Sequence, residues 1–203
     1  MKPKEMSYKF FRVVFRIAAP VICFFRPFDI VGKEYLVKGP AMVCSNHSEM
    51  IDPFLIAISY GIDDNVHVIA KIEIFKIPVV SYILWKIGMI PVDRSINDIA
   101  SIKMILGYLK QDQKVVIFPE GTRATEHDAS AAKSGAVKLA EKAGVPIVPV
   151  FLPRKKPFFR KSTLVFGEPY YIEKQSTKRT VEDYAKLSEE LMNKIQALDP
   201  ASP

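Results

Sequence analysis

From residue 41 onward the chain alternates short, almost unbroken apolar runs with longer stretches in which apolar residues recur every three to four positions. Unbroken runs of this length suit strands buried on both faces, and the longer periodic stretches suit helices laid over them. The pattern predicts strands at Ala41–Ser45, Val66–Ala70, Met89–Val92, Lys114–Phe118, Ile147–Leu152 and Thr163–Phe166. Helices are predicted at 53–60, 78–87, 95–110, 130–143 and 180–198, the first, second and fourth closed by Gly61, Gly88 and Gly144. Capping boxes with aspartate in place of glutamate mark two starts, Ser95 with Asp98 and Thr180 with Asp183. Strands alternating with helices give an α/β fold: a single domain over 29–203, with a largely parallel mixed sheet flanked by helices.

The first 28 residues read differently. Lys2, Glu5, Lys9, Arg12 and Arg16 share one helical face at about 100° per residue. Phe10, Phe11, Val13, Val14, Phe15, Ile17 and Ala18 cover the others, and a second apolar run, Val21 to Phe25, follows Pro20, where a kink is expected. The longest uncharged stretch, Ile17 to Phe25, falls well short of the roughly 20 residues a spanning helix needs. The segment is therefore expected to lie in a membrane surface as a basic amphipathic helix.

Composition narrows the class. Hydrophobic residues make up 49% and charged residues 25% of 203, which excludes a disordered chain. The net charge of +7 is unevenly spread: residues 1–40 carry eight Lys/Arg against three Asp/Glu, and residues 153–180 carry eight against two. Two basic patches of this kind attract anionic surfaces, whether lipid, nucleic acid or acidic protein. The second patch includes the basic and aromatic loop Pro153–Lys161. Cys23 and Cys44 both sit in apolar runs and read as reduced, buried thiols, which places the chain on the cytoplasmic face of the cell membrane as a monotopic or peripheral protein.

The residues just beyond each predicted strand carry the chemistry. Asn46-His47 comes after the first, Lys71 after the second, Asp93-Arg94 after the third, and Pro119-Glu120-Gly121-Thr122-Arg123 after the fourth. Parallel strands would bring all four groups to one carboxyl edge, where open α/β sheets bind ligands. Positions five apart differ by about 140° on a helix, so His47 and Asp52 cannot meet on one regular helix. With Pro53 as first helical residue, Asp52 becomes the expected N-cap, and His47 sits on the preceding loop, free to fold back onto the carboxylate. A histidine so oriented can take a proton from a hydroxyl as that hydroxyl attacks a carbonyl. Gly121 leaves room for a ligand at the backbone, Thr122 adds a hydroxyl and Arg123 a fork of donors suited to phosphate, with Arg94 and Lys71 adding positive charge. His67 and His127 lack partners at zinc-type spacing, so no metal is expected, and there is no GxGxxG or Walker loop.

Four blocks in this order resemble the glycerolipid acyltransferase family, most closely its 1-acyl-sn-glycerol-3-phosphate (lysophosphatidate) acyltransferases. They are Asn46-His47-Ser48-Glu49-Met50-Ile51-Asp52, Gly88 to Arg94, Phe118 to Arg123, and Val145 to Val150. The resemblance implies transfer of a fatty acyl group from acyl-CoA or acyl-acyl carrier protein to the sn-2 hydroxyl of lysophosphatidate, with no cofactor beyond that co-substrate. It assigns His47 and Asp52 to catalysis, Arg94 and Arg123 to the acceptor's phosphate, Glu120 and Gly121 to the acceptor loop, and the fourth block to the acyl end of the site. The alternative within the superfamily acylates glycerol 3-phosphate or another lysophospholipid. A nucleic-acid binding module would leave the strand-end residues without a role, so no nucleic-acid partner is expected. The family's frequent serine two residues after the histidine is Glu49 here, with Ser48 beside it.

Overall fold

The computed structural model describes residues 6–93, 98–119, 134–173, 175 and 177–200. An N-terminal helix α1 (Tyr8–Phe25) is capped by the Ser7 side chain and leads into strand β1 (Phe28–Val31). Then come β2 (Ala41–Ser45), α2 (Asp52–Tyr60), β3 (Val66–Lys71), α3 (Pro78–Lys86), β4 (Ile90–Val92), α4 (Ile99–Lys110) and β5 (Lys114–Ile117). The chain closes with α5 (Gly135–Ala143), β6 (Ile147–Phe151), β7 (Ser162–Phe166) and α6 (Val181–Ala197). The strands form one seven-stranded sheet in the order β1-β7-β6-β2-β5-β3-β4. Strands β2 to β6 are mutually parallel, and the only antiparallel pair among the described strands is β6 with β7. The α/β reading with a largely parallel mixed sheet is thus what the chain adopts.

Alternation along the central strand explains the layers. Met42 and Cys44 of β2 point to one face, under Ile105 and Leu109 of α4, Val137 of α5 and Leu191 of α6. Ala41 and Val43 point to the other, under Leu55 and Ile56 of α2. Each face removes a continuous apolar layer from water, at roughly 25 cal/mol per Å². Every residue of β2 and of β6 is buried, which is why both read as unbroken apolar runs.

Two local expectations change. Strand β1 is not among the strands that the apolar pattern predicts, because Phe28-Asp29-Ile30-Val31 alternates between half-buried and exposed positions, as suits an edge strand, paired in parallel with β7. Helix α4 starts at Ile99, later than expected. Its N-cap is Asp98, whose carboxylate accepts from Ser101 N and so does the capping itself. Helix α1 runs as one element through Pro20. The Thr180–Asp183 capping box is present as expected, and residues 130–133 of the fourth predicted helix lie outside the described residues.

His67 is buried within β3 between the Gly88 carbonyl, 2.7 Å from Nδ1, and the Gln113 side-chain amide, 2.6 Å from Nε2. Its ring stacks on Tyr108, and Gln113 passes the link on to the Tyr8 hydroxyl, so this histidine pins α1 to the sheet. Gly88 is required there: at φ +79° a side chain would be strained, and its Cβ would come within 2.8 Å of His67 Nδ1.

Candidate active site

The parallel strands β2 to β6 end at a common edge, and the site is assembled on the segments leaving it. Asn46, directly after β2, fastens that segment to the end of β6, since its amide donates to Leu152 O (2.7 Å) and accepts from Leu152 N (2.8 Å). His47 is thereby held at the junction of two neighbouring strands. From the other flank Phe118, which follows β5, stacks on the imidazole with ring centroids 4.2 Å apart.

Asp52 reaches His47, but not as the helix cap that the sequence suggests. It is the first residue of α2, after Ile51 as N-cap in helical conformation. Its carboxylate turns back to the preceding loop, where Oδ2 accepts from Ser48 N (2.7 Å), Glu49 N (2.9 Å) and His47 Nδ1 (3.0 Å). Two backbone N–H groups thus form a cradle that fixes the carboxylate independently of the histidine. The side chain of Asp52 has 0% exposure, whereas that of His47 keeps 18%. Burial would push the Asp52 pKa up. The hydrogen bond from His47, the Lys156 charge and the Glu49 N–H outweigh it and hold the carboxyl below its ordinary value of 3.8. An ionised carboxylate can only accept, so Nδ1 carries a proton, and in the neutral ring Nε2 is the nitrogen with the lone pair.

The residue that sequence alone misplaces is Lys156. Its loop reads as a solvent-facing basic patch, and Arg154, Lys155 and Arg160 are indeed exposed. Lys156 is turned inward to 2% exposure, with Nζ 2.7 Å from Asp52 Oδ1 in an ion pair. Nζ donates to Pro153 O (2.6 Å) and Ser48 Oγ (3.0 Å). Glu49, the departure from the family pattern, clips this loop in place: Oε1 accepts from Lys156 N (3.0 Å), and Oε2 pairs with Arg26 Nη1 at the end of α1 (3.2 Å). A lone lysine among five cations in nine residues gives no sequence signal for such a turn inward.

Of the other predicted residues, Lys71 stands exposed at the carboxyl end of β3, in register with Val92 of β4. Arg94, Glu120, Gly121, Thr122 and Arg123 lie outside the described residues. Asp93 and Pro119, which immediately precede them, follow β4 and β5 at this same sheet edge. Among the described residues no three His, Cys, Asp or Glu side chains gather as a metal-holding group. Cys44 is buried, and burial pushes its thiol far up, so it is no nucleophile.

An apolar crevice of about 80 Å³ runs between α1 and α2. Phe11, Phe15 and Ile22 line one wall; Ala57 and, directly after Asp52, Pro53 and Phe54 line the other.

The profile of the family described as Acyltransferase matches residues 27–153, which contain His47, Asp52 and the strand ends around them. The chain is 32% identical over 177 residues to the 1-acyl-sn-glycerol-3-phosphate acyltransferase of Bacillus subtilis, covering 84% of this chain and 87% of that protein. It is 33% identical over 128 residues to the chloroplastic 1-acyl-sn-glycerol-3-phosphate acyltransferase of Brassica napus, covering 61% of this chain and 36% of that one. A further chloroplastic relative, from Arabidopsis thaliana, is spanned to 41%, so the chain covers well under two thirds of these longer proteins. In fold it is similar to the crystal structure of the 1-acyl-sn-glycerophosphate acyltransferase of Thermotoga maritima, with a TM-score of 0.64 at 24% identity over 97% of this chain and 81% of that one. With most of its α/β domain matched by the family profile, and with near full-length similarity to a bacterial member, the chain belongs to the acyltransferase family.

Proposed function

We propose that this protein moves a fatty acyl group from an acyl thioester, acyl-CoA or acyl-acyl carrier protein, to the sn-2 hydroxyl of lysophosphatidate, making phosphatidate. The observation that carries the reading is the His47–Asp52 pair, with Nδ1 tied to a buried carboxylate and Nε2 left as a base. The names of the curated relatives support lysophosphatidate as the acceptor.

In this mechanism Nε2 takes the hydroxyl proton while the hydroxyl oxygen attacks the thioester carbonyl. Asp52 stabilises the imidazolium that forms. The carbon–sulfur bond then breaks, and the proton passes from Nε2 to the departing sulfur, so that ester and thiol are released without an acyl-enzyme. Arg94, Arg123 and Lys71 hold the acceptor's phosphate, with Glu120, Gly121 and Thr122 shaping its loop, and their contribution is mainly orientation. The apolar crevice beside α2 suits an acyl chain, because its lining offers hydrocarbon nothing to desolvate. No cofactor is needed, since the thioester itself supplies the activated acyl group.

The test is thiol release with lysophosphatidate, glycerol 3-phosphate and lysophosphatidylcholine, each against acyl-CoA and acyl-acyl carrier protein. Lysophosphatidate should give the highest kcat/KM. A preference for glycerol 3-phosphate would replace this acceptor, and no thiol release from any pair would refute acyl transfer.

The same reading places the enzyme peripherally on the cytoplasmic face of a membrane. Helix α1 is apolar on two sides: Phe11, Phe15 and Ile22 face the crevice, while Val13, Ile17, Val21 and Phe24 form an exposed stripe at helical spacing. Its end meets the basic loop in a cluster of exposed rings, Phe24 (68%), Phe158 (60%) and Phe159 (63%), joined by the hydrogen bond from Phe159 N to Phe25 O. Exposed rings beside Arg154, Lys155 and Arg160 suit an anionic lipid surface. No described helix is long and apolar enough to cross a membrane. Changing Phe24, Phe158 and Phe159 together to Ser is expected to weaken sedimentation with phosphatidylglycerol vesicles by more than about tenfold, since a buried ring is worth roughly 1.5–3 kcal/mol. Undiminished binding would remove this surface from the proposal.

A further inference from the structure

Burying an ammonium costs several kcal/mol unless partners replace its water. Lys156 is nevertheless almost wholly enclosed, on a loop whose other cations reach solvent. Nothing in the packing alone asks for a charge there, because an apolar side chain of similar volume often stabilises a protein as well as a buried ion pair does. What the charge does meet is the carboxylate that orients the proposed base. The two oxygens of Asp52 are divided: Oδ2 takes His47 Nδ1 and two backbone N–H groups, and Oδ1 faces Lys156 Nζ at 2.7 Å.

We propose that Lys156 is a positioning residue for acyl transfer: its ammonium anchors Asp52 Oδ1, so that Oδ2 remains aimed at His47, and balances part of the carboxylate's charge. The inference rests on the acyl-transfer reading above. Without that cation the buried carboxylate would keep its full charge beside the imidazole and leave Oδ1 without its counter-ion. Lys156 is itself held from both sides. Its N–H is taken by Glu49 Oε1, and its Nζ by the Pro153 carbonyl and Ser48 hydroxyl. The charged groups paired with this cluster include His47 and Glu49 from the loop after β2 and, through Glu49, Arg26 from the end of α1. Arg26 is paired with Glu49 and lies over the Phe158 ring at 3.9 Å. Glu49 thus uses its charge on the loop and on α1, and leaves Lys156 as the cation nearest Asp52 among these groups.

Two measurements test this. On the native wild-type protein, pulse labelling with an amine-reactive reagent and peptide mass spectrometry should find Lys156 modified at least about tenfold more slowly than its exposed neighbour Lys155, because modification must await local opening. Equal rates would overturn the buried pair. In kinetics, Lys156→Met should shift the acid limb of the kcat/KM profile to higher pH by about one unit and lower kcat about tenfold, with KM for lysophosphatidate little changed. Lys156→Arg, which returns a cation, should restore the limb. Lys156→Gln keeps hydrogen-bonding capacity without charge and should show the same limb shift if the methionine variant does not fold. A limb that stays in place in the neutral variants overturns the positioning role while leaving acyl transfer standing. A wild-type protein that turns over no thioester removes both.

Discussion

Replacing His47 by alanine is expected to abolish thiol release while leaving the fold intact. General-base catalysis by a positioned histidine typically contributes about 10²–10⁴-fold, so thioester turnover should fall by that factor or to background. The fold should tolerate the change, because the imidazole is partly exposed and Asp52 keeps its bonds from Ser48 N, Glu49 N and Lys156 when the ring is gone. Unchanged far-UV circular dichroism and thermal midpoint would show this. Full turnover in such a folded variant would eliminate His47 as the base.

Asp52→Asn should cost both activity and stability, and the two losses have separate causes. Activity should fall on the order of 10⁴-fold, as when the orienting carboxylate of a Ser-His-Asp triad is amidated, because an amide can present its NH₂ to the ring and no longer stabilises the imidazolium. Stability should fall by about 3–5 kcal/mol at neutral pH, because Lys156 is left as a buried charge without a counter-ion. The pH dependence comes from the lowered Asp52 pKa. The folded state holds the carboxylate more tightly ionised than the unfolded chain does, so this contribution is complete above the ordinary value of 3.8 and is lost as pH falls through the lower folded value. Urea unfolding of wild type and variant should therefore differ most at neutral pH and converge only in strong acid. A gap that closed between pH 7 and 5 would mean that Asp52 is not the group responsible.

The contrast between Asp52 and Lys156 shows where reading a sequence succeeds. Two residues five apart with a proline between helix and loop carry a local geometric statement, and local chain geometry decides whether they can meet. The pairing was legible for that reason, although the cradle that fixes it was not: the carboxylate binds the turn before α2 rather than capping the helix. Lys156 lies 104 residues beyond Asp52, brought to it only because β6 is hydrogen-bonded beside β2 and Asn46 locks the two strand ends together. Helix α1 shows the same division. Its sequence reveals a basic amphipathic helix, but not that one apolar face lines a crevice shared with α2 while another stays open beside Phe158 and Phe159.

By itself, then, the sequence determined the layered α/β architecture, since strands buried on both faces must read as unbroken apolar runs, and it determined the His47–Asp52 pair, since a short loop confines both partners. Tertiary structure alone decided which neighbouring strands share an edge and which cation of a basic loop turns inward. It also decided what Glu49 does in place of the family's serine. Those outcomes depend on strand order and on the partners that offset a buried charge, and neither is encoded in any local stretch of chain.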